Sequence, residues 1–263
     1  MTHPTNIPFG GKPDVLILGA GAAGLMCAMQ AARRGRKVLV LERSNKPGKK
    51  ILMSGGGRCN FTNLYVEPSR FLSANPHFCK SSLSRYTQWD FIDLVQRHKI
   101  AYHEKSQGQL FCDDTSRLIL DMLLDECHLA GAQILTNCET HSVRRNERFE
   151  LKTAAGPISA QSLVVATGGL SIPKLGGSGF GYQLARQFDL NVLPTRAGLV
   201  PFTFTDSMHE ITGRLSGLAL EVAASTPAIT FSDSMLFTHR GLSGPAMLQL
   251  SSYWRDSEPI SID

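Results

Sequence analysis

An α/β fold built on a parallel sheet is predicted by three observations near the start of this 263-residue chain. A short apolar run, Val15 to Leu18, leads into Gly19, Gly21 and Gly24 in GxGxxG spacing. Ala22 to Ala32 is rich in small and apolar helix formers, and Lys37 to Glu42 reads as a second strand ending on a carboxylate. In that order these are the parts of a Rossmann-like βαβ unit, which holds a dinucleotide pyrophosphate at a helix N-terminus.

Each residue type answers a physical need. Gly19 permits the tight turn out of the strand, Gly21 lets backbone approach the pyrophosphate, and Gly24 lets the helix pack closely on the strands. Arg33 and Arg34 suit the negative end of the helix dipole, and Gly35 can close the helix in the left-handed region. Glu42 stands where a carboxylate accepts hydrogen bonds from ribose hydroxyls, and it would repel a phosphate on that ribose. A membrane or signal segment is the alternative for Val15 to Ala32. It is disfavoured by the missing basic flank and by three glycines.

The stretch KPGKKILMSGGGRCNFTN, Lys46 to Asn63, adds a second phosphate-compatible element. Ser54, Gly55, Gly56 and Gly57 can form a concavity of backbone N–H groups, with Lys49, Lys50 and Arg58 supplying positive charge. Further on, Leu83, Tyr86, Phe91, Leu94 and Val95 recur at near-helical spacing. Asp114 or Thr115 is placed to cap a helix carrying Leu118, Ile119, Met122 and Leu123, and Gly131 to close it. Gln133 to Cys138, His141 to Val143, Phe149 to Thr153 and Ile158 to Ala160 read as strands returning to the cofactor domain at Leu163 to Ala166. Thr167, Gly168 and Gly169 then end a buried strand with backbone able to pass close to a ligand, and Gly179 to Phe188 suggest a helix. The glycines of GGSGFG, Gly176 to Gly181, do not follow a strand as a second nucleotide motif would, and are assigned to the same site.

From Asn191 to Gly198 the character changes to Pro, Gly and short β-like runs, including Leu199 to Thr205, Leu218 to Ala223 and Ile229 to Phe231. The expected organisation is a flexible N-terminus over 1–13, a dinucleotide-binding domain over 14–195 and a β-rich region over 196–263.

GxGxxG, the following LE, and KKILMSGGGRCNFTN closely resemble the bacterial BaiN-like NAD(P)/FAD-dependent flavoproteins. LVVATGGLSIPKLGGSGFGYQLA (Leu163 to Ala185) and LFTHRGLSGPAMLQLSSYW (Leu236 to Trp254) resemble further segments of that family. The resemblance implies a Rossmann-like FAD-binding domain with the beginning of an inserted β-rich substrate-side domain. It implies FAD on the GxGxxG turn, Glu42 on the adenosine ribose, the SGGGR loop near the cofactor, ATGG near the pyrophosphate or flavin, and adenine against backbone around Thr140. Family chains continue past PISID with a glycine-rich segment facing the flavin, so the expectation is a shortened chain. The candidate cofactor-binding residues are Gly19, Gly21, Ala22, Ala23, Gly24, Glu42, Arg43, Lys50, Ser54, Gly55, Gly56, Gly57, Arg58, Cys59, Asn60, Thr140, Ala166, Thr167, Gly168 and Gly169. NADH or NADPH is expected as a transient reductant docking over the flavin.

Composition bounds the partners. With 42% hydrophobic residues there is ample material for a core, and a net charge of +5 suits an anionic dinucleotide. No dense Lys/Arg helix or aromatic-basic platform stands out, so the expected partner is a small molecule, with no nucleic acid and no membrane; oligomeric state is open. The six cysteines form no CxxC pair and no metal-ligand spacing, and no secretory signal is expected. Reduced thiols in the cytoplasm and no metal are the expectation. Cys59, beside Arg58, could have a lowered thiol pKa, with structural filling as the alternative.

Catalytic residues are harder to find, because a flavin carries the hydride itself and the protein supplies orientation and electrostatics. His239 and Arg240 are the candidates: a proton donor titrating near neutrality beside a planar donor fork. Their alternative is capping the loop before the helix that follows Ser243, and His103, Asp113 and Asp114 come behind them. The functional expectation is an FAD-dependent oxidoreductase, NAD(P)H-linked, passing hydride to an activated double bond or carbonyl of a small organic substrate. The rivals are an NAD-only dehydrogenase and a non-catalytic dinucleotide-binding module. Flavin-dependent modification of RNA, which would bring salt-sensitive RNA binding, ranks behind them.

Overall fold

The computed structural model describes residues 7–263, which form two compact units dividing after Asn191. In the first unit the chain runs β1 (Val15–Leu18), α1 (Ala22–Arg33), β2 (Val38–Leu41), α2 (Lys49–Met53), β3 (Asn60–Asn63), α3 (Lys80–Arg85) and α4 (Gln88–Arg97). It continues through β4 (Tyr102–Glu104), β5 (Gln109–Cys112), α5 (Arg117–Leu129), β6 (Gln133–Leu135), β7 (Thr140–Arg145), β8 (Phe149–Thr153), β9 (Gly156–Ala160), β10 (Ser162–Val165) and α6 (Phe180–Gln187).

The central sheet has the order β10-β1-β2-β6, and every pairing is parallel. The inner strands β1 and β2 are continuously apolar because both their faces are covered, whereas the edge strands β10 and β6 begin on exposed Ser162 and Gln133. Side chains alternate with period two, so Ile17, Val38 and Val40 face one layer while Leu16, Leu18, Leu39 and Leu41 face the other. The first layer is helical, with Leu25 and Met29 of α1 against Met122 and Leu123 of α5. The second is the antiparallel meander β7-β8-β9, which supplies Val143, Leu151 and Ile158, together with Leu184 of α6. This is a Rossmann-like α/β fold with a parallel central sheet.

Several elements differ from their sequence expectation for identifiable reasons. The helical spacing from Leu83 to Val95 is split at Tyr86 and Thr87, because Thr87 and Asp90 form a capping box that restarts the chain as α4. Helix α5 begins after Ser116 rather than Asp114 or Thr115. The Ser116 hydroxyl donates to the Leu52 carbonyl at 2.9 Å, and Thr115 Oγ1 takes only the N–H of Arg117. Strand β6 stops at Leu135 because Asn137 turns into the left-handed region and the N–H groups of Asn137 and Cys138 bond the Ser44 and Glu42 carbonyls. Residues 1–6 of the expected flexible N-terminus lie outside the described residues, but Ile7 and Phe9 pack on the meander side of the core.

Helices α1, α4 and α5 are joined by a charged cluster. The Glu126 carboxylate is ion-paired with Arg33 and bonded to His98 Nε2 at 2.7 Å, with its side chain 10% exposed. Burial raises the Glu126 pKa, but His98 and Arg33 outweigh it, so the group titrates below the ordinary glutamate range. A depressed folded-state value means that the stabilisation is present above the unfolded pKa, about 4.3, and is lost as pH falls through the folded one. Glu126→Gln is expected to cost about 1–3 kcal/mol at pH 7. It should also flatten the acid limb of the thermal midpoint between about pH 5 and 3, read by circular dichroism melts across pH.

The second unit contains β11 (Phe202–Thr203), α7 (Ser207–Arg214), β12 (Ala219–Thr226), β13 (Ile229–Thr238), β14 (Gly241–Ser243), α8 (Pro245–Ser251) and β15 (Ser261–Ile262). Its antiparallel sheet, ordered β11-β14-β13-β12-β15, packs Ala224, Met235 and Leu242 on Ala246, Met247 and Leu250 of α8. Strand β13 runs well past the expected Phe231, since Ser232, Asp233 and Ser234 break the apolar pattern without breaking the ladder. Among the described residues no helix is long and apolar enough to cross a membrane.

Candidate dinucleotide site

A cavity of about 1130 Å³ opens at the C-terminal ends of the parallel strands, with walls supplied entirely by the first unit. Its position is where open α/β sheets bind ligands.

The floor is the turn from β1 into α1. Gly19 has φ +102°, and a Cβ there would meet the Ala166 carbonyl oxygen at 2.5 Å, so the turn and the end of β10 fit only around glycine. A Cβ on Gly24 would lie 1.9 Å from the Gly19 oxygen, which explains the third glycine as a packing requirement. Gly21 is different: a Cβ on it meets nothing within 4 Å. Helix α1 has no side-chain cap, and Leu25 N–H to Gly21 O is the bond that closes its first turn. The N–H groups of Ala22, Ala23 and Gly24 therefore have no partner within the helix, and the space a Gly21 side chain would fill lies before them. Free N–H groups, a positive dipole end and an open cradle fit a pyrophosphate.

Glu42 is held rigidly at the end of β2. Its Oε2 accepts the Ala20 N–H at 2.9 Å and its Oε1 the Ser44 N–H at 2.8 Å. Each carboxylate oxygen keeps accepting capacity, and the residue lines the cavity. Lys50 crosses from α2 to the loop after β10, where its Nζ donates to Ser171 O at 3.0 Å and to Ser171 Oγ at 3.1 Å.

Gly19, Gly21, Ala22, Ala23, Glu42, Arg43, Lys50, Ser54, Cys59, Asn60, Thr140, Ala166, Thr167 and Gly168 all line the cavity. Gly24 lies behind it as a packing residue, while Gly55, Gly56, Gly57, Arg58 and Gly169 are not part of the wall. Gly55 is turned inward, so a Cβ on it would meet Asn60 N and Phe111 at 2.7 Å, and the loop's Arg58 and Cys59 N–H groups bond back to Gly55 and Ser54 carbonyls. Cys59 is buried, and burial raises its thiol pKa more than the Ser54 hydrogen bond lowers it. The thiol is therefore protonated at neutral pH, contrary to activation by Arg58. Cys112 beside it is pushed up to about 11 by burial, with Cys59 adding to the effect.

His239 and Arg240 form the exposed turn between β13 and β14 in the second unit, where the Arg240 N–H donates to Thr238 Oγ1 and the Arg240 carbonyl accepts the Phe204 N–H, and neither residue lines the cavity. His103 Nδ1 and Asp113 Oδ1 are 2.7 Å apart on an exposed face. Sequence reasoning missed Ser44, Lys46 and Lys174 on the rim, and an apolar wall of Phe61, Phe91, Ile119 and Leu123. The wall comes from three separate elements, and no local spacing announces it. Among the described residues no group of three or more His, Cys, Asp or Glu is placed to hold a metal.

Residues 13–225 match the HI0933-like protein Rossmann domain, and residues 196–263 match the HI0933-like protein barrel and H2TH domain. The chain belongs to the HI0933-like family. Within it, the chain is 56% identical over 252 residues to the ribosomal RNA dihydrouridine synthase of Escherichia coli (strain K12), covering 95% of this chain and 63% of that protein. It is 51% identical over 254 residues to the Haemophilus influenzae protein of the same name, covering 94% and 63%. The 3-dehydro-bile acid delta(4,6)-reductase of Clostridium scindens is 26% identical, covering 90% and 59%. The BaiN-like resemblance is thus a distant relationship inside a flavoprotein family, and relatives at twice that identity carry another name. The chain spans 63% of the length of those two relatives.

Proposed function

We propose that this HI0933-like chain is the cofactor-binding part of an FAD-dependent reductase that saturates the C5=C6 bond of uridine in ribosomal RNA. The observation that carries the reading is identity of 56% and 51%, across almost the whole chain, to two proteins named for dihydrouridine synthesis in ribosomal RNA. The C5=C6 bond of uracil is conjugated to the C4 carbonyl, so it belongs to the activated double bonds expected from the sequence. RNA as partner departs from the small-molecule expectation.

Reduced FAD, when bound, supplies the hydride, and the balance is one hydride plus one proton per uridine, with NADH or NADPH as the proposed two-electron donor. The chain's residues bind and orient. The first-turn N–H groups of α1 would hold the pyrophosphate, Glu42 the adenosine ribose, and Lys50 with the Arg43, Lys46 and Lys174 rim would favour an anionic ligand. The apolar wall of Phe61, Phe91, Ile119 and Leu123 excludes water from one side of the cavity.

The test begins with the visible spectrum of purified protein, heat release of flavin and its chromatographic identification, and equimolar FAD is expected. Holo-protein is then given NADPH or NADH and unmodified ribosomal RNA, and nucleosides are analysed by mass spectrometry for a gain of two hydrogens on uridine. FAD with reduction of a steroid enone but not of RNA would move the assignment to a small acceptor. Absence of FAD after reconstitution would overturn the flavoprotein reading of this chain.

A further inference from the structure

The described residues expose four large aromatic side chains beyond the intermediate range: Tyr65 (64%), Phe71 (47%), Phe78 (76%) and Trp89 (57%). All four fall between residues 65 and 89, whereas the aromatics elsewhere are at least partly covered. Large exposed apolar side chains gathered in one segment are a feature of interaction sites.

The same span is basic. It contains Arg70, Lys80 and Arg85 and a single carboxylate, Glu67, whose Oε2 accepts the Ser69 hydroxyl at 3.0 Å. None of the three cations pairs with a carboxylate among the described residues. The span is stitched to itself and to the body of the unit: Gln88 Nε2 donates to Leu64 O at 3.1 Å, and the Cys79 thiol contacts Pro68 O at 3.8 Å. At either end stand Phe61 and Phe91, 6.1 Å apart between ring centroids, and both line the dinucleotide cavity. The excursion therefore leaves the cavity wall and returns to it.

We infer that residues 65–89 form a docking platform for single-stranded RNA, with Phe78 and Trp89 stacking on unpaired bases while Arg70, Lys80 and Arg85 meet the backbone phosphates. Every base offers a π-face, so exposed aromatics interleaved with unpaired cations grip a strand with little sequence preference. A purely apolar partner would leave the three cations without counter-charge, whereas a single strand supplies phosphate charge and base faces together. Phe61 and Phe91, just outside the two ends of the span, tether it to the cavity wall. This inference rests on the reading of the substrate as RNA, and it names the surface by which that RNA is held.

The test measures fluorescence anisotropy of a short 5′-fluorescein-labelled oligouridylate against the FAD-loaded chain across a salt series. Phe78→Ala and Trp89→Ala are each expected to weaken binding about five- to tenfold. The combined Arg70→Gln, Lys80→Gln, Arg85→Gln variant should reduce the slope of log affinity against log salt by about 2. Circular dichroism melts check that each variant is folded. Variants binding like the parent would overturn the platform while leaving the RNA reading intact, since dihydrouridine formation is measured separately. A parent chain that binds no oligouridylate would overturn it too. So would variants that alter self-association by light scattering and not RNA affinity, which would assign the surface to a second copy.

Discussion

Gly21→Val is expected to yield a protein that folds and melts like the parent but retains no flavin. Gly21 has φ −86°, which valine adopts without strain, and a Cβ there meets nothing within 4 Å. The new methyl groups would enter the cavity in front of the Ala22, Ala23 and Gly24 N–H groups. A pyrophosphate displaced from those donors loses its charge-assisted hydrogen bonds and the helix dipole together. Affinity should fall at least 100-fold, equivalent to about 2.7 kcal/mol. Gly24→Ala is the contrasting variant. Its Cβ would lie 1.9 Å from a backbone oxygen, so it should lower the thermal midpoint and cost flavin as a consequence. Flavin-to-protein ratio and melting midpoint, measured on both, separate ligand space from packing space. Equimolar FAD in Gly21→Val would remove the pyrophosphate from this turn.

The glycine pair also indicates what a sequence can convey. β1, α1 and β2 were legible because a parallel strand, a close helix approach and a terminal acid all leave local marks within some thirty residues. The remaining walls are not local. Phe61, Phe91, Ile119 and Leu123 meet at the cavity from β3, α4 and α5, and each looks in sequence like an ordinary core residue. In the SGGG loop the glycines serve unlike needs. Gly55 is needed because Asn60 and Phe111 crowd it, and the Arg58 and Cys59 N–H groups bond the loop's own carbonyls, whereas Gly56 and Gly57 have open space where a side chain would stand. Glycine records that a side chain does not fit, without recording whether a ligand or the protein fills the space. The aromatic-basic span leaves no mark in the sequence because its rings lie scattered among serines and show no period; only exposure distinguishes them from core aromatics.

Glu42→Ala is expected to cause two separable losses. In the parent the carboxylate takes the N–H groups of Ala20 and Ser44, and Ala20 is fully buried. Removing the acceptor leaves a buried donor unpaired, at about 1–3 kcal/mol, which for a chain of this size lowers the apo-protein midpoint by about 2–10 °C. The second loss is the proposed ribose contact: hydrogen bonds to a charged acceptor contribute about 1.5–3 kcal/mol, so FAD affinity should fall about 10- to 150-fold. The two are read independently, because a ligand raises the midpoint only according to its concentration relative to its Kd. The apo midpoint reports the structural role, and the further rise on adding FAD reports the ribose role. Glu42→Gln sharpens the distinction. Its amide keeps one acceptor oxygen but turns an NH₂ toward one of the two backbone donors, so it should recover only part of the apo midpoint. If the FAD-induced rise in Glu42→Ala matches that of the parent, the carboxylate serves the fold alone and the adenosine ribose lies elsewhere.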